Sequence, residues 1–318
     1  MNKVLNNFLL NFFFILIFSL LGASLLLIFG NESISNDANN YFGLFERLSY
    51  SSYGESSSIE ITEPAYLYLA WVLSQLFPPV AIFFIAGFIP LLYKIFLLRG
   101  LDFGFLAVVF YFFLFLPIQE ANQIRGALAC CFILYSLLVI PKKPRTYIYL
   151  ALIASSFHFS GIIILTFYAL RMFRSNLPSI LAVIFSSLLW NWLIANIGFL
   201  NFLAHQMSGE ELGVNFTSPI FLLHLCVAIV CCFLYKEFNY IQKKGSHLII
   251  LGIFVYIFFA DTPILAHRIR ELSLLGFFPI LFTKANPSFS HLLIFSGAFL
   301  IASYTAYLTY AEVFSYFF

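Results

Sequence analysis

The chain has 318 residues, 62% of them hydrophobic and only 9% charged, with a formal net charge of +2 and a mean hydropathy of +0.96. Soluble domains are nearer half apolar and about a quarter charged, so the composition excludes an ordinary soluble enzyme. With no basic-aromatic stripe, it also argues against a nucleic-acid binder. What fits is an all-α, polytopic integral membrane protein: one membrane-embedded domain over residues 1–318 with about eleven crossings, roughly ten to twelve.

The first apolar run, residues 8–29, is too long for a signal-peptide core and is expected to be a retained transmembrane helix. A polar outer loop over residues 31–78 follows. It carries Asp37, Tyr41, Arg47 and Glu63 and contains a short interfacial or re-entrant helix over residues 64–77, opened by Pro64. Residues 78–98 return inward and 103–116 go out. A polar turn holding Glu120, Asn122 and Gln123 leads to an inward run over 124–140 and a basic cytoplasmic loop over 141–145.

Residues 147–170 have the length of one helix. A single crossing there would place Lys236, Lys243 and Lys244 outside. Two short arms turning near residues 157–161 are therefore expected, as in discontinuous helices that line a polar cavity. Beyond them come an outward run (177–197), an outer loop (198–218), an inward run (219–235), a cytoplasmic loop (236–246) and an outward run (247–260). An outer loop or half-helix over 261–271 precedes the last two crossings, 272–282 and 290–310.

With the N-terminus inside, this threading puts all eight lysines on one face: Lys3, Lys94, Lys142, Lys143, Lys236, Lys243, Lys244 and Lys284. Twelve of the fourteen acids fall on the other, all but Asp102 and Glu237. That is the positive-inside pattern of a bacterial inner-membrane protein. Four arginines break it by lying on the outer face: Arg47, Arg125, Arg268 and Arg270. The five cysteines all lie within apolar runs, in an odd number without ligand spacing, and read as small apolar residues.

Arg125 opens an apolar run at its outer mouth, where a guanidinium is costly unless it is used. Its planar fork suits phosphate oxygens; the alternatives are snorkelling to headgroups or pairing with Glu120. A second cluster joins Asp261 to His267, Arg268, Arg270 and Glu271. Arg268 and Glu271, and His267 and Glu271, are spaced to share a helix face; Arg268 and Arg270 are two apart and diverge. His158 lies in the break of the run over residues 147–170, where a packed histidine and a catalytic one are both open. His224, His247 and His291 are read as structural. No metal-binding, Walker or nucleophile-elbow motif occurs in the sequence, so no cofactor is expected and the chemistry is taken as metal-independent.

Four separated motifs then fall in order: Asp37 to Tyr41; Glu63-Pro64-Ala65-Tyr66; Asn122-Gln123-Ile124-Arg125-Gly126-Ala127-Leu128-Ala129; and Phe157-His158-Phe159-Ser160 followed by Ile162. The order resembles the EpsG-like family of bacterial polysaccharide polymerases, akin to Wzy-type O-antigen polymerases. One departure is Gly126, where the family pattern usually has Gln.

The resemblance implies a membrane glycosyltransferase acting at the periplasmic face. Such an enzyme transfers the growing glycan from undecaprenyl pyrophosphate to the next undecaprenyl-pyrophosphate-linked oligosaccharide. The resemblance further implies Arg125 and Arg268 on the pyrophosphate with Arg270 in support, and Asp261, His267 or His158 as the base. Asp37, Tyr41, Glu63, Glu120, Asn122 and Gln123 are candidate substrate contacts. A chain-length regulator and a flippase are the expected partner proteins. A flippase for the same lipid-linked sugar and an O-antigen ligase are the rival readings.

Overall fold

The computed structural model describes residues 2–29, 36–52, 63–116, 124–139, 143–172, 196, 214–260, 263–283, 293–304 and 307. All regular structure among them is helical. The chain divides into two compact units. One holds residues 1–135, 151–162 and 305–318; the other holds residues 136–150 and 163–304.

In the first unit, α1 (Asn2–Phe29) packs along α4 (Pro79–Arg99), and α4 packs against α5 (Gly104–Phe115). Aromatic contacts, Phe14 with Phe105 and Phe18 with Phe112, join α1 to α5. The region expected as a polar loop contains a helix, α2 (Asn36–Ser49). Tyr41, Leu44, Phe45 and Leu48 form its buried face, while Asn40, Glu46 and Arg47 are exposed. Arg47 lies in the last turn, where the helix dipole favours a cation, and its Nε donates to the Gly43 carbonyl at 3.2 Å. Arg47, one of the four arginines expected on the outer face, therefore has a local structural role at a helix end.

The short helix expected after Pro64 is α3 (Pro64–Ser74), started by Pro64 at its first position. It packs on α2 and is tied to it at the far end. Trp71 Nε1 donates to Ser51 O at 3.1 Å, and Gln75 Nε2 to Leu48 O at 2.9 Å.

From α6 (Ile124–Leu138) the chain continues to α7 (Thr146–Phe157), which stops at His158. A 3₁₀ turn, Phe159–Ile164, and then α8 (Leu165–Met172) follow, so the run over residues 147–170 is broken at the expected place. In a continuous helix, residues seven apart lie about 10 Å apart along the axis. Here Gly161 lies against the backbone of Ala154, and a Cβ on Gly161 would collide with it. The chain doubles back at this glycine.

In the second unit, α10 (Tyr240–Phe258) is the central helix. Against it pack α8, α9 (Pro219–Leu234), α11 (Pro263–Ser273), the 3₁₀ turn Leu274–Gly276 and α12 (Phe277–Phe282). The stretch expected as a cytoplasmic loop, 236–246, is helical from Tyr240 onward. The cause is a capping box: the Asn239 side chain accepts from the Gln242 N–H, and the Gln242 side chain accepts from the Asn239 N–H.

Lys244, expected in that loop, is fully buried. Its Nζ donates to Ser136 O at 2.7 Å and Val139 O at 3.2 Å, carbonyls at the C-terminal end of α6 that belong to this unit. Helix C-termini leave such carbonyls unsatisfied and attract cations. Three rings, Tyr147, Phe167 and Tyr240, lie 5.7–5.8 Å from the same ammonium.

Cys130, Cys131 and Cys231 are buried thiols, as expected, whereas Cys226 and Cys232 are exposed. Among the described residues two helices are long and apolar enough to cross a membrane, α4 and α10. Shorter apolar helices accompany them, among them α13 (Leu293–Tyr304). Of the eleven expected crossings, two thus have a helix among the described residues that is long and apolar enough to span a membrane.

Gly245 and Gly276 mark a close backbone approach in the second unit, since a Cβ on either would run into the other's carbonyl oxygen. Gly276→Val should therefore cost about 1–3 kcal/mol by overpacking. Thermal unfolding of the detergent-purified protein tests this. An unchanged Tm would remove the close contact as a determinant of the fold.

Candidate active site

Three of the motifs separated in sequence meet in the first unit. Arg125 stands in the first turn of α6, Glu63 caps the start of α3, and Tyr41 lies on the buried face of α2. Arg125 Nη1 donates to Glu63 Oε2 at 2.7 Å, and Arg125 Nε reaches the Tyr41 hydroxyl at a long 3.5 Å. Its guanidinium carbon lies 5.9 Å from the centre of the Tyr66 ring, and the Tyr41 and Tyr66 rings meet edge to face at 6.1 Å.

The local sequence explains this arrangement. A residue at the start of a helix ordinarily turns its side chain onto the backbone N–H groups of the first turn. Glu63 makes no such bond; its carboxylate goes to Arg125. Arg125 needs it, because a cation at a helix N-terminus faces the positive end of the dipole. The ion pair offsets that cost.

The pair is unevenly buried, with the Arg125 side chain 34% exposed and that of Glu63 9%. A guanidinium has five N–H donors. One goes to Glu63 and one to Tyr41, and the others have no partner among the described residues. Open guanidinium donors beside the N-terminus of a helix form a site for an anion.

Tyr66 belongs to the Glu63-Pro64-Ala65-Tyr66 motif but is not among the individual candidate site residues. Besides the motif, spacing points to it: Tyr66 follows Glu63 by three residues, one turn along the same helix face. α3 lies in the segment expected as the first outer loop, outside the expected crossings. Burial, with Tyr41 and Glu63 beside it, pushes the Tyr66 phenol well above its ordinary value, and Arg125 pulls the other way. It is a neutral O–H.

His158, in the same unit, is held locally. Its Nδ1 accepts the Ser160 N–H at 3.3 Å and meets the Ser160 hydroxyl at 2.6 Å. That bonding selects the tautomer with the proton on Nε2.

The second unit holds the other cluster. Arg268 and Arg270 diverge along α11 as their spacing requires: Arg268 is half-buried, and Arg270 is 8% exposed. The Arg270 guanidinium lies 4.6 Å from the centre of the fully buried Tyr256 ring, and the His267 ring meets the same tyrosine edge-on at 5.1 Å. His224, on α9, is fully buried within hydrogen-bond reach of Ser273 Oγ at 3.4 Å. Ser273 in turn donates to the Arg270 carbonyl at 2.6 Å. Asp261, Glu120, Asn122 and Gln123 lie outside the described residues, and so does the side chain of Asp37 in the first turn of α2.

An all-helical, strongly apolar chain with a guanidinium, a carboxylate and two phenols gathered at helix ends is a membrane protein with a polar, cation-centred site. The chain belongs to the EpsG family, whose model matches residues 5–318. Membership carries a polysaccharide-polymerase-like function of the glycosyl-transfer kind and fits a membrane location. No curated protein and no solved structure matches the chain.

Glu63→Gln keeps the shape of the side chain and removes its charge. Because Arg125 is a third exposed, the expected loss is about 1–2 kcal/mol, between a surface pair and a buried one. A double-mutant cycle with Arg125→Gln should return a coupling of that size. Additive effects of the two changes would mean that the pair contributes nothing to stability.

Proposed function

We propose that the protein joins lipid-linked oligosaccharide repeat units at the periplasmic face of the bacterial inner membrane. A hydroxyl at the non-reducing end of the incoming unit attacks the anomeric carbon of the growing chain. The bond from that carbon to the pyrophosphate oxygen breaks, and undecaprenyl pyrophosphate leaves with the electron pair. The hydroxyl proton passes to a base.

The observation that carries this reading is the Arg125 cluster in a chain of the EpsG family. A leaving pyrophosphate gains charge as the glycosidic bond breaks, and fixed donors aimed at that charge lower the barrier. Arg125 offers such donors at a helix N-terminus, with Glu63 holding the fork in place. Arg268 and Arg270 are proposed as further cationic contacts with substrate, and Tyr41, Asp37, Glu120, Asn122 and Gln123 as polar ones. Asp261, His267 and His158 remain the proposed bases. With the proton on Nε2, His158 presents a donor and must change tautomer to accept.

The test is a strain lacking the gene, complemented with wild type, Arg125→Ala or Arg125→Lys, with its surface glycan run on a gel. Wild type should restore a ladder, and both variants should collapse it to a single-unit band at normal protein level. Lysine keeps the charge but loses the fork, so it should fail almost as fully as alanine. A full ladder with Arg125→Lys, or loss of all surface glycan in the deletion strain, counts against the reading.

A further inference from the structure

In the Arg125 cluster the donors outnumber the acceptors. The Glu63 carboxylate is engaged by Nη1, and the Tyr41 hydroxyl oxygen is approached by Nε. The rest of the guanidinium has no partner among the described residues. Tyr66 adds one more donor. Its side chain is only 2% exposed, and its hydroxyl finds no hydrogen-bond partner among the described residues. A buried hydroxyl without a partner costs about 1–3 kcal/mol, and such groups are rare enough to need a reason.

Packing alone gives no reason for the oxygen. Phenylalanine would fill the same space, keep the edge-to-face contact with Tyr41 and lie under Arg125 in the same way. The Arg125 guanidinium carbon lies over the Tyr66 ring, 5.9 Å from its centre, and Arg125 is the one member of the cluster with substantial exposure. A ligand engaged by the guanidinium therefore comes next to the phenol. Two neighbouring donors, one of them cationic, match a group rich in acceptors and poor in protons. That describes phosphate oxygens better than a sugar hydroxyl, whose own proton would meet another donor.

We propose that Tyr66 is a ligand-contacting residue of this site, its hydroxyl donating to phosphate oxygens of the same pyrophosphate that Arg125 engages. The inference rests on the polymerase reading and adds to it a specific contact. The phenol serves as a donor only: it takes no proton and forms no bond with the glycan. It strengthens as charge collects on the leaving pyrophosphate, because hydrogen bonds to charged acceptors exceed those to neutral ones.

Tyr66→Phe removes one oxygen and nothing else. The test compares wild type and Tyr66→Phe, both full-length and detergent-purified, by thermal unfolding and by binding of undecaprenyl pyrophosphate in mixed micelles. The expected result is a Tm equal to or above wild type, with affinity for undecaprenyl pyrophosphate reduced about tenfold, the size of one hydrogen bond to a charged group. A Tm lowered by several degrees with unchanged affinity would make the hydroxyl structural and overturn the proposal. So would unchanged affinity with unchanged Tm, and either result leaves the polymerase reading standing. If wild type itself fails to bind undecaprenyl pyrophosphate, both fall together.

Discussion

The organisation of the first unit follows from one electrostatic constraint. A guanidinium placed at the start of an apolar helix meets two penalties, desolvation and the positive end of the helix dipole. Glu63 answers both at 2.7 Å, and it does so from 62 residues away in sequence. That carboxylate is delivered by the two helices that precede α4. These are α2 and α3, packed on each other and on α4, with aromatic rings filling the space beneath the ion pair. The apolar helices and the polar site are thus coupled: the pair offsets part of the cost of placing Arg125 there, and α2 and α3 supply the pair.

The second unit meets a similar problem with no carboxylate partner among the described residues. Lys244 is as buried as any leucine, yet its charge is met by carbonyl oxygens at the end of α6 and by three aromatic faces. The glycine contact between Gly245 and Gly276 brings the neighbouring backbone close to α10. In both units a helix end is where the charge sits, a cation with an added anion at the N-terminus of α6 and a bare cation at its C-terminus.

Much of this was legible in the sequence, and the gaps have physical reasons. Apolar run length gave the helical class, and Pro64 gave the start of α3. The conflict between helix length and charge placement gave the break near Gly161. The helix α2 was overlooked because its residues are polar on average, although Tyr41, Leu44, Phe45 and Leu48 carry the spacing of a buried helical face. The start of α10 was hidden under a lysine pair, while the sequence Asn239-Tyr240-Ile241-Gln242 held the capping signal. The cluster members Tyr41, Glu63 and Arg125 were each singled out, but their meeting is a long-range contact that no local pattern encodes. Tyr66 stands in the second motif but carries no individual role there, because an aromatic residue in an aromatic-rich chain looks like filler.

The ties between α2 and α3 have a consequence for how the site is held. Ser51 and Leu48 on one side, and Trp71 and Gln75 on the other, pin the two helices near the end of α2, and Glu63 is pinned by Arg125. α3 is therefore fastened at both of its ends, one to a neighbouring helix and one to the guanidinium. A change at Trp71 or Gln75, far from the charges, is felt at the carboxylate through a single helix of 11 residues.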